Sequence, residues 1–162
     1  MSKEDRNKIL VIGIGNIGRQ DDGLGWLILD HIVDEFKFVD TEYRYQLQIE
    51  DAELAANYSM VIFADATKEQ VDDGFYLKNC KVSKAYGMST HAVHPETIVG
   101  LTNNLYHKYP EVFIFGIQGY HWELKEGLSE KALDNLKKAI DFLPELLSRD
   151  LDSSPEIGLS LK

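Results

Sequence analysis

Three side chains in this sequence, Asp22, Asp65 and His91, could do together what none could do alone. Each lies just beyond an apolar run that reads as a buried strand, and side chains at the ends of neighbouring strands converge on one crevice even when far apart in sequence. Two carboxylates and one imidazole supply oxygen and nitrogen donors and leave positions open for water or substrate. That donor set suits nickel or zinc better than magnesium or calcium. An imidazole ligates only when neutral, so the contact should weaken as pH falls below about 6. Singly, each residue has an ordinary reading. Asp21 and Asp22 could be acids in the first turn of a helix, Asp65 a cap or turn residue, and His91 a solvated loop residue. The other histidines default to structural or exposed roles: His31 on the first helix, His94 capping the helix that Pro95 begins, His107 at a helix end and His121 in a late loop.

The elements that must position these groups alternate between strand and helix with short connections, which is the pattern of a mostly parallel sheet covered on both faces. Lys8 to Ile14 reads as a buried strand, followed by an amphipathic helix over Gly23 to Phe36, with Leu24, Leu27, Ile28, Ile32 and Phe36 near helical spacing. Tyr43 to Leu47 suits a second strand and Asp51 to Asn57 a short helix. Met60 to Ala64 is wholly apolar and so predicts a central strand. Phe75 to Val82 reads as an edge strand, because Lys78, Asn79 and Lys81 interrupt it. Pro95 starts a helix to about Tyr106, Val112 to Ile117 is another buried strand, and Ser129 caps a long helix toward Leu143, with Pro144 ending or kinking it. The sequence holds no internal repeat.

At 162 residues the chain suits one α/β domain, with a core of about 8–147 and a polar tail, 150–162, expected to fray. The balance of 17 basic against 27 acidic residues, a formal charge of −10, argues against non-specific binding to nucleic acid or anionic membrane. A single cysteine, Cys80, excludes an internal disulfide and a cysteine-rich zinc site, and its strand setting predicts a packed thiol rather than a nucleophile. The charged N-terminus lacks an apolar leader, and no apolar run approaches the length of a membrane span, so a cytoplasmic protein is expected.

Gly13-Ile14-Gly15-Asn16-Ile17-Gly18 matches a GxGxxG string, but its context is wrong for a dinucleotide. Arg19, Gln20, Asp21 and Asp22 intervene before the helix pattern starts, and two carboxylates there would repel a pyrophosphate. An acid at the end of the second strand is also missing, since Gln46-Leu47-Gln48 precedes Glu50.

These residues resemble the hydrogenase maturation endopeptidases, which process the large subunit of nickel-iron hydrogenases. The likeness is carried by Val11-Ile12-Gly13-Ile14-Gly15-Asn16, Asp21-Asp22-Gly23-Leu24-Gly25, Phe63-Ala64-Asp65-Ala66, Ser89-Thr90-His91, Phe115-Gly116-Ile117-Gln118 and Leu128-Ser129, and spans roughly Lys8 to Leu143. It implies a twisted, mostly parallel sheet of about five strands between helices, a three-layer α/β/α domain. It also implies that Asp22, Asp65 and His91 are the metal-contacting and catalytic residues. The stretch Tyr45-Gln46-Leu47-Gln48-Ile49-Glu50 departs from the glycine- and threonine-containing loop of many members. With Leu105-Tyr106 and Tyr109-Pro110, it looks more like the branch serving bidirectional, pyridine-nucleotide-linked hydrogenases.

The resemblance further implies that nickel arrives with the substrate, held by cysteines of the immature large subunit, and that the three residues complete its coordination, with zinc or cadmium as surrogates in the same site. The expected partner is that precursor, and the expected state a monomer. What the sequence lacks agrees with this: Cys80 has no evident activating partner, no serine has a nucleophile-elbow context, and HExxH is missing. Two other readings stay open. One is a non-catalytic, nickel-checking assembly chaperone that binds precursor without shortening it, and the other a nucleotide-binding enzyme using the glycine string.

Overall fold

A computed structural model describes residues 8–82 and 93–148. In chain order the elements are β1 (Ile9–Ile14), two short helical turns over Ile17–Gly23 kinked apart at Arg19 and Gln20, α1 (Leu24–Glu35), β2 (Asp40–Arg44), α2 (Asp51–Ala55), β3 (Met60–Thr67), β4 (Phe75–Asn79), α3 (Pro95–Tyr106), β5 (Glu111–Gln118) and α4 (Glu130–Leu147). They form one five-stranded sheet in the order β2-β1-β3-β5-β4. The first four strands in that order run parallel, and only β4 is antiparallel, against β5.

Strand alternation sends side chains to two separate cores. Val11, Ile62 and Ala64 face a cluster built with Leu24, Ile28, Leu29 and Ile32 of α1 and Leu136, Ala139 and Leu143 of α4. Leu10, Ile12, Val61 and Phe63 face the other way, onto Ala52 and Ala55 of α2 and Ile98 and Val99 of α3. The domain is therefore three-layered, as expected. Burial of α1's apolar stripe, at about 1.5–3 kcal/mol for each large side chain, drives that layer together far more strongly than helix propensity could.

Gly25 sets how closely α1 approaches the sheet. A methyl group there would come within 2.3 Å of the Ile14 carbonyl oxygen and 2.6 Å of the Ala64 carbonyl oxygen. Gly13 faces the same contact, because a Cβ on it would meet the Gly25 oxygen at 2.6 Å. Gly13 of the GxG string thus admits the backbone of α1 at close approach.

Several boundaries differ from the sequence reading. The second strand is Asp40–Arg44 rather than Tyr43 to Leu47. Among the described residues it is an edge strand paired only with β1, so polar residues are tolerated on it, and the pairing ends where Ile14 meets Arg44. Beyond it Tyr45 leaves the sheet and packs on Trp26, with ring centroids 4.9 Å apart. Phe75–Asn79 is indeed an edge strand, and shorter than predicted. Pro144 does not end α4, which runs on to Leu147. Leu143, Leu146 and Leu147 are all buried, and that packing outweighs one lost backbone hydrogen bond. The expected fraying of 150–162 falls outside the described residues.

Candidate active site

In the order β2-β1-β3 the chain leaves β1 toward opposite sides, so the crevice at the carboxyl ends of β1 and β3 is the topological switch point of the sheet. Asp65 stands near the end of β3, opposite Gly116 of β5 and one residue past the Ala64–Gly13 pairing with β1. Asp22 comes from the tight turn after β1. Gly15 makes that turn fit: at φ +149°, it lies where a Cβ would press to 2.1 Å from the Asp22 carbonyl oxygen, which also accepts the Asn16 N–H at 3.1 Å. The two carboxylates line one open cavity of about 260 Å³, with Arg19, Ala66, Lys68 and Trp122 as the remaining walls.

Burial pushes the Asp65 carboxyl up to about 7, and the negative charge of Asp22 adds to the rise, while the Ala66 N–H opposes it. Burial also raises Asp22, against the pull of Arg19, the Asn16 N–H and Lys68. The charge of Asp22 thus disfavours ionisation of Asp65 in this crevice, and a cation close to both would relieve that repulsion. This is the donor chemistry a divalent metal needs. His91, the third predicted ligand, lies outside the described residues. Among the described residues no group of three His, Cys, Asp or Glu side chains is gathered closely enough to hold a metal.

Asp21 turns out to be structural. Neither it nor Asp22 lies in the first turn of α1, where the sequence reading had an ordinary place for both. Asp21 is fully buried and accepts hydrogen bonds from the backbone N–H groups of Tyr120, His121 and Ser129 and from the Ser129 hydroxyl, at 2.7–2.9 Å. Burial alone would raise its carboxyl; these donors outweigh it and hold the group below the usual range. His94 occupies the N-cap of α3, but its side chain makes no capping hydrogen bond. Cys80 is buried and its thiol is pushed up to about 12, chiefly by burial, so the packed reading of this residue holds.

No local pattern marks Arg19, Lys68 or Trp122 as site residues, yet all three line the cavity. Trp122 reaches the crevice because Gly119 leaves it room: a Cβ on Gly119 would meet Trp122 Cη2 at 2.8 Å and Asp21 Cβ at 2.7 Å. The loop carrying Trp122 is anchored by Gln20, whose N–H donates to the Lys125 carbonyl at 2.9 Å and whose Oε1 accepts from the Glu123 N–H at 3.1 Å. A larger depression of about 460 Å³ lies beside Gln20, Tyr120, His121, Lys125 and Ser129, with Glu130 as its one carboxylate among the described residues. Paired acids, not volume, single out the smaller cavity.

Fold and crevice together define an α/β domain with an acid pair at the switch point of its sheet. No family model and no curated protein matches the sequence. Solved structures do match the fold, and several of them are hydrogenase maturation peptidases. The maturating endopeptidase HybD from E. coli is 18% identical with a TM-score of 0.69, over 86% of this chain and 91% of that one. The [NiFe] hydrogenase maturation protease HycI from Thermococcus kodakarensis is 20% identical, also with a TM-score of 0.69, over 88% and 94%. The hydrogenase 2 maturation peptidase from a Thaumarchaeota archaeon is 23% identical with a TM-score of 0.63, over 87% and 98%. This chain has their fold.

Proposed function

We propose that this protein is an endopeptidase that removes the C-terminal extension of a nickel-iron hydrogenase large-subunit precursor once nickel has been inserted. The observation that carries the reading is the sharing of one crevice by Asp22 and Asp65, on the fold of solved maturation peptidases. In this reading the nickel belongs to the substrate. Asp22, Asp65 and His91 present two oxygens and a nitrogen to its open face, which brings the extension beside the acid pair. Proximity then does much of the work, because docking the metal fixes the scissile carbonyl near water held by a carboxylate or by the metal. Zinc or cadmium would occupy the same donors as surrogates. The likeness of 45–50 and 105–110 points to a bidirectional, pyridine-nucleotide-linked hydrogenase as the partner. No helix among the described residues is long and apolar enough to cross a membrane, and we assign a cytoplasmic, monomeric protein.

The test is the intact mass of the cognate precursor, nickel-loaded and nickel-free, before and after incubation with this protein. Loss of one discrete C-terminal peptide from the nickel-loaded form alone is the expected result. A stable complex with unshortened, nickel-loaded precursor would replace the peptidase with an assembly chaperone.

A further inference from the structure

Two basic side chains stand at the acid crevice of a chain that carries 27 acids against 17 bases. Arg19 and Lys68 are both exposed. Each lies near enough to Asp22 to draw its carboxyl down. Yet neither comes within 4.0 Å of a carboxylate oxygen to make an ion pair among the described residues. Lys68 instead has its Nζ 5.2 Å from the centre of the Trp122 ring. The crevice therefore has an acid floor, a basic rim and an indole wall.

We propose that Arg19, Lys68 and Trp122 form a subsite for a carboxylate of the substrate peptide, next to the bond that is cut. The inference rests on the peptidase reading for its substrate and adds a specificity determinant to it. A guanidinium and an ammonium present several N–H donors to a carboxylate, and an indole face beside them shields the pair from water. Exposure decides against an oxyanion role, which requires donors already fixed and shielded from water before the reaction begins. Long side chains at a rim capture a charged group as it arrives. The indole is held for this purpose by the space at Gly119 and by the anchoring of its loop through Asp21 and Gln20.

The carboxylate could belong to an acidic side chain or to the end of the peptide, and the experiment separates them. The probes are N-acetyl-Gly-Glu-Gly-amide, N-acetyl-Gly-Gln-Gly-amide and N-acetyl-Gly-Gly-Gly with a free carboxyl end, titrated into the full chain. The readout is the Trp122 indole N–H NMR signal, distinguished from that of Trp26 by a Trp26→Phe variant. A saturable shift with the glutamate peptide assigns a side-chain carboxylate, and one with the free-acid peptide assigns a chain end. Neither should appear with the glutamine amide. Lys68→Met and Arg19→Met should each weaken binding roughly two- to fivefold, the range of an exposed ion pair, and the double variant about tenfold. Lys68→Arg should restore it. Equal shifts with glutamate and glutamine, no shift with either carboxylate probe, or a shift untouched by the substitutions would overturn the subsite. Because binding is read apart from cleavage, failure here leaves the peptidase reading standing, whereas failure of that reading shows separately, as an unchanged mass of the nickel-loaded precursor.

Discussion

Asp21 and Ser129, 108 positions apart, grip each other twice: the Ser129 N–H donates to Asp21 Oδ1 at 2.8 Å and the Ser129 hydroxyl to Oδ2 at 2.7 Å. The same hydroxyl oxygen accepts the Ala132 N–H at 3.3 Å and so caps α4. One buried acid thereby joins the turn after β1, the loop carrying Trp122 and the start of the last helix.

Asp21→Asn should destabilise the protein by about 2–4 kcal/mol, since an amide would set two donors against donors that now share two oxygens. Ser129→Ala should cost less, about 1–2 kcal/mol, as the loss of a cap and one hydrogen bond. The pH sign follows from the lowered carboxyl. Its contribution is present above the unfolded value near 3.8 and is lost as pH falls through the lower folded value. Urea unfolding of wild type and Asp21→Asn from pH 7 down to pH 2 should show the difference closing at the acid end.

Asp65 should behave in the opposite sense. Its folded value of about 7 lies above the ordinary 3.8. The native state is then penalised progressively as pH rises from about 4 to about 7, with no further change above. The shift corresponds to a ceiling of about 4 kcal/mol, reduced to about 2 kcal/mol by partial solvent access. Asp65→Asn should therefore be more stable than wild type at pH 8 and no more stable at pH 4, while slowing precursor processing at least about a hundredfold. A stability difference independent of pH would refute the assignment.

Asp22→Ala and His91→Ala should each abolish shortening of the nickel-loaded precursor with the thermal midpoint within a few degrees of wild type. Intact mass and thermal unfolding of the same samples test this together. Normal processing by either variant removes that residue from the site.

Gln20 inverts the usual rule for glycine. Its backbone, at φ 51° and ψ −119°, is one that side chains rarely adopt, at a cost of order 1–3 kcal/mol. Gln20→Gly should relieve that strain and lose the hydrogen bond to Glu123, leaving stability within about 1 kcal/mol of wild type. Gln20→Ala keeps the strain and loses the bond, so it should be the less stable variant in chemical unfolding.

Gly119→Ala should disturb the site while sparing most of the core. The added methyl would meet both Trp122 and Asp21. A loss of about 1–3 kcal/mol is expected, with a changed Trp122 indole NMR signal. An unchanged signal would mean the ring is not seated there.

Much of this protein was legible in its sequence because buried strands and amphipathic helices are written in local periodicity. Met60 to Ala64, apolar throughout, opens β3, the central strand of the sheet. Pro95 does open α3, and Ser129 does cap α4. Asp22 and Asp65 could be paired on the page because a strand's end is a local signal and parallel neighbours share a crevice. What the sequence did not disclose depends on contacts between distant segments. Asp21 and Asp22 are adjacent and chemically identical, yet one is buried among backbone donors of a loop about a hundred residues away and the other lines the cavity. No local pattern distinguishes them. Only the fold, by bringing the 119–129 loop over the turn after β1, decided which acid builds the structure and which lines the crevice, and placed Arg19, Lys68 and Trp122 around it.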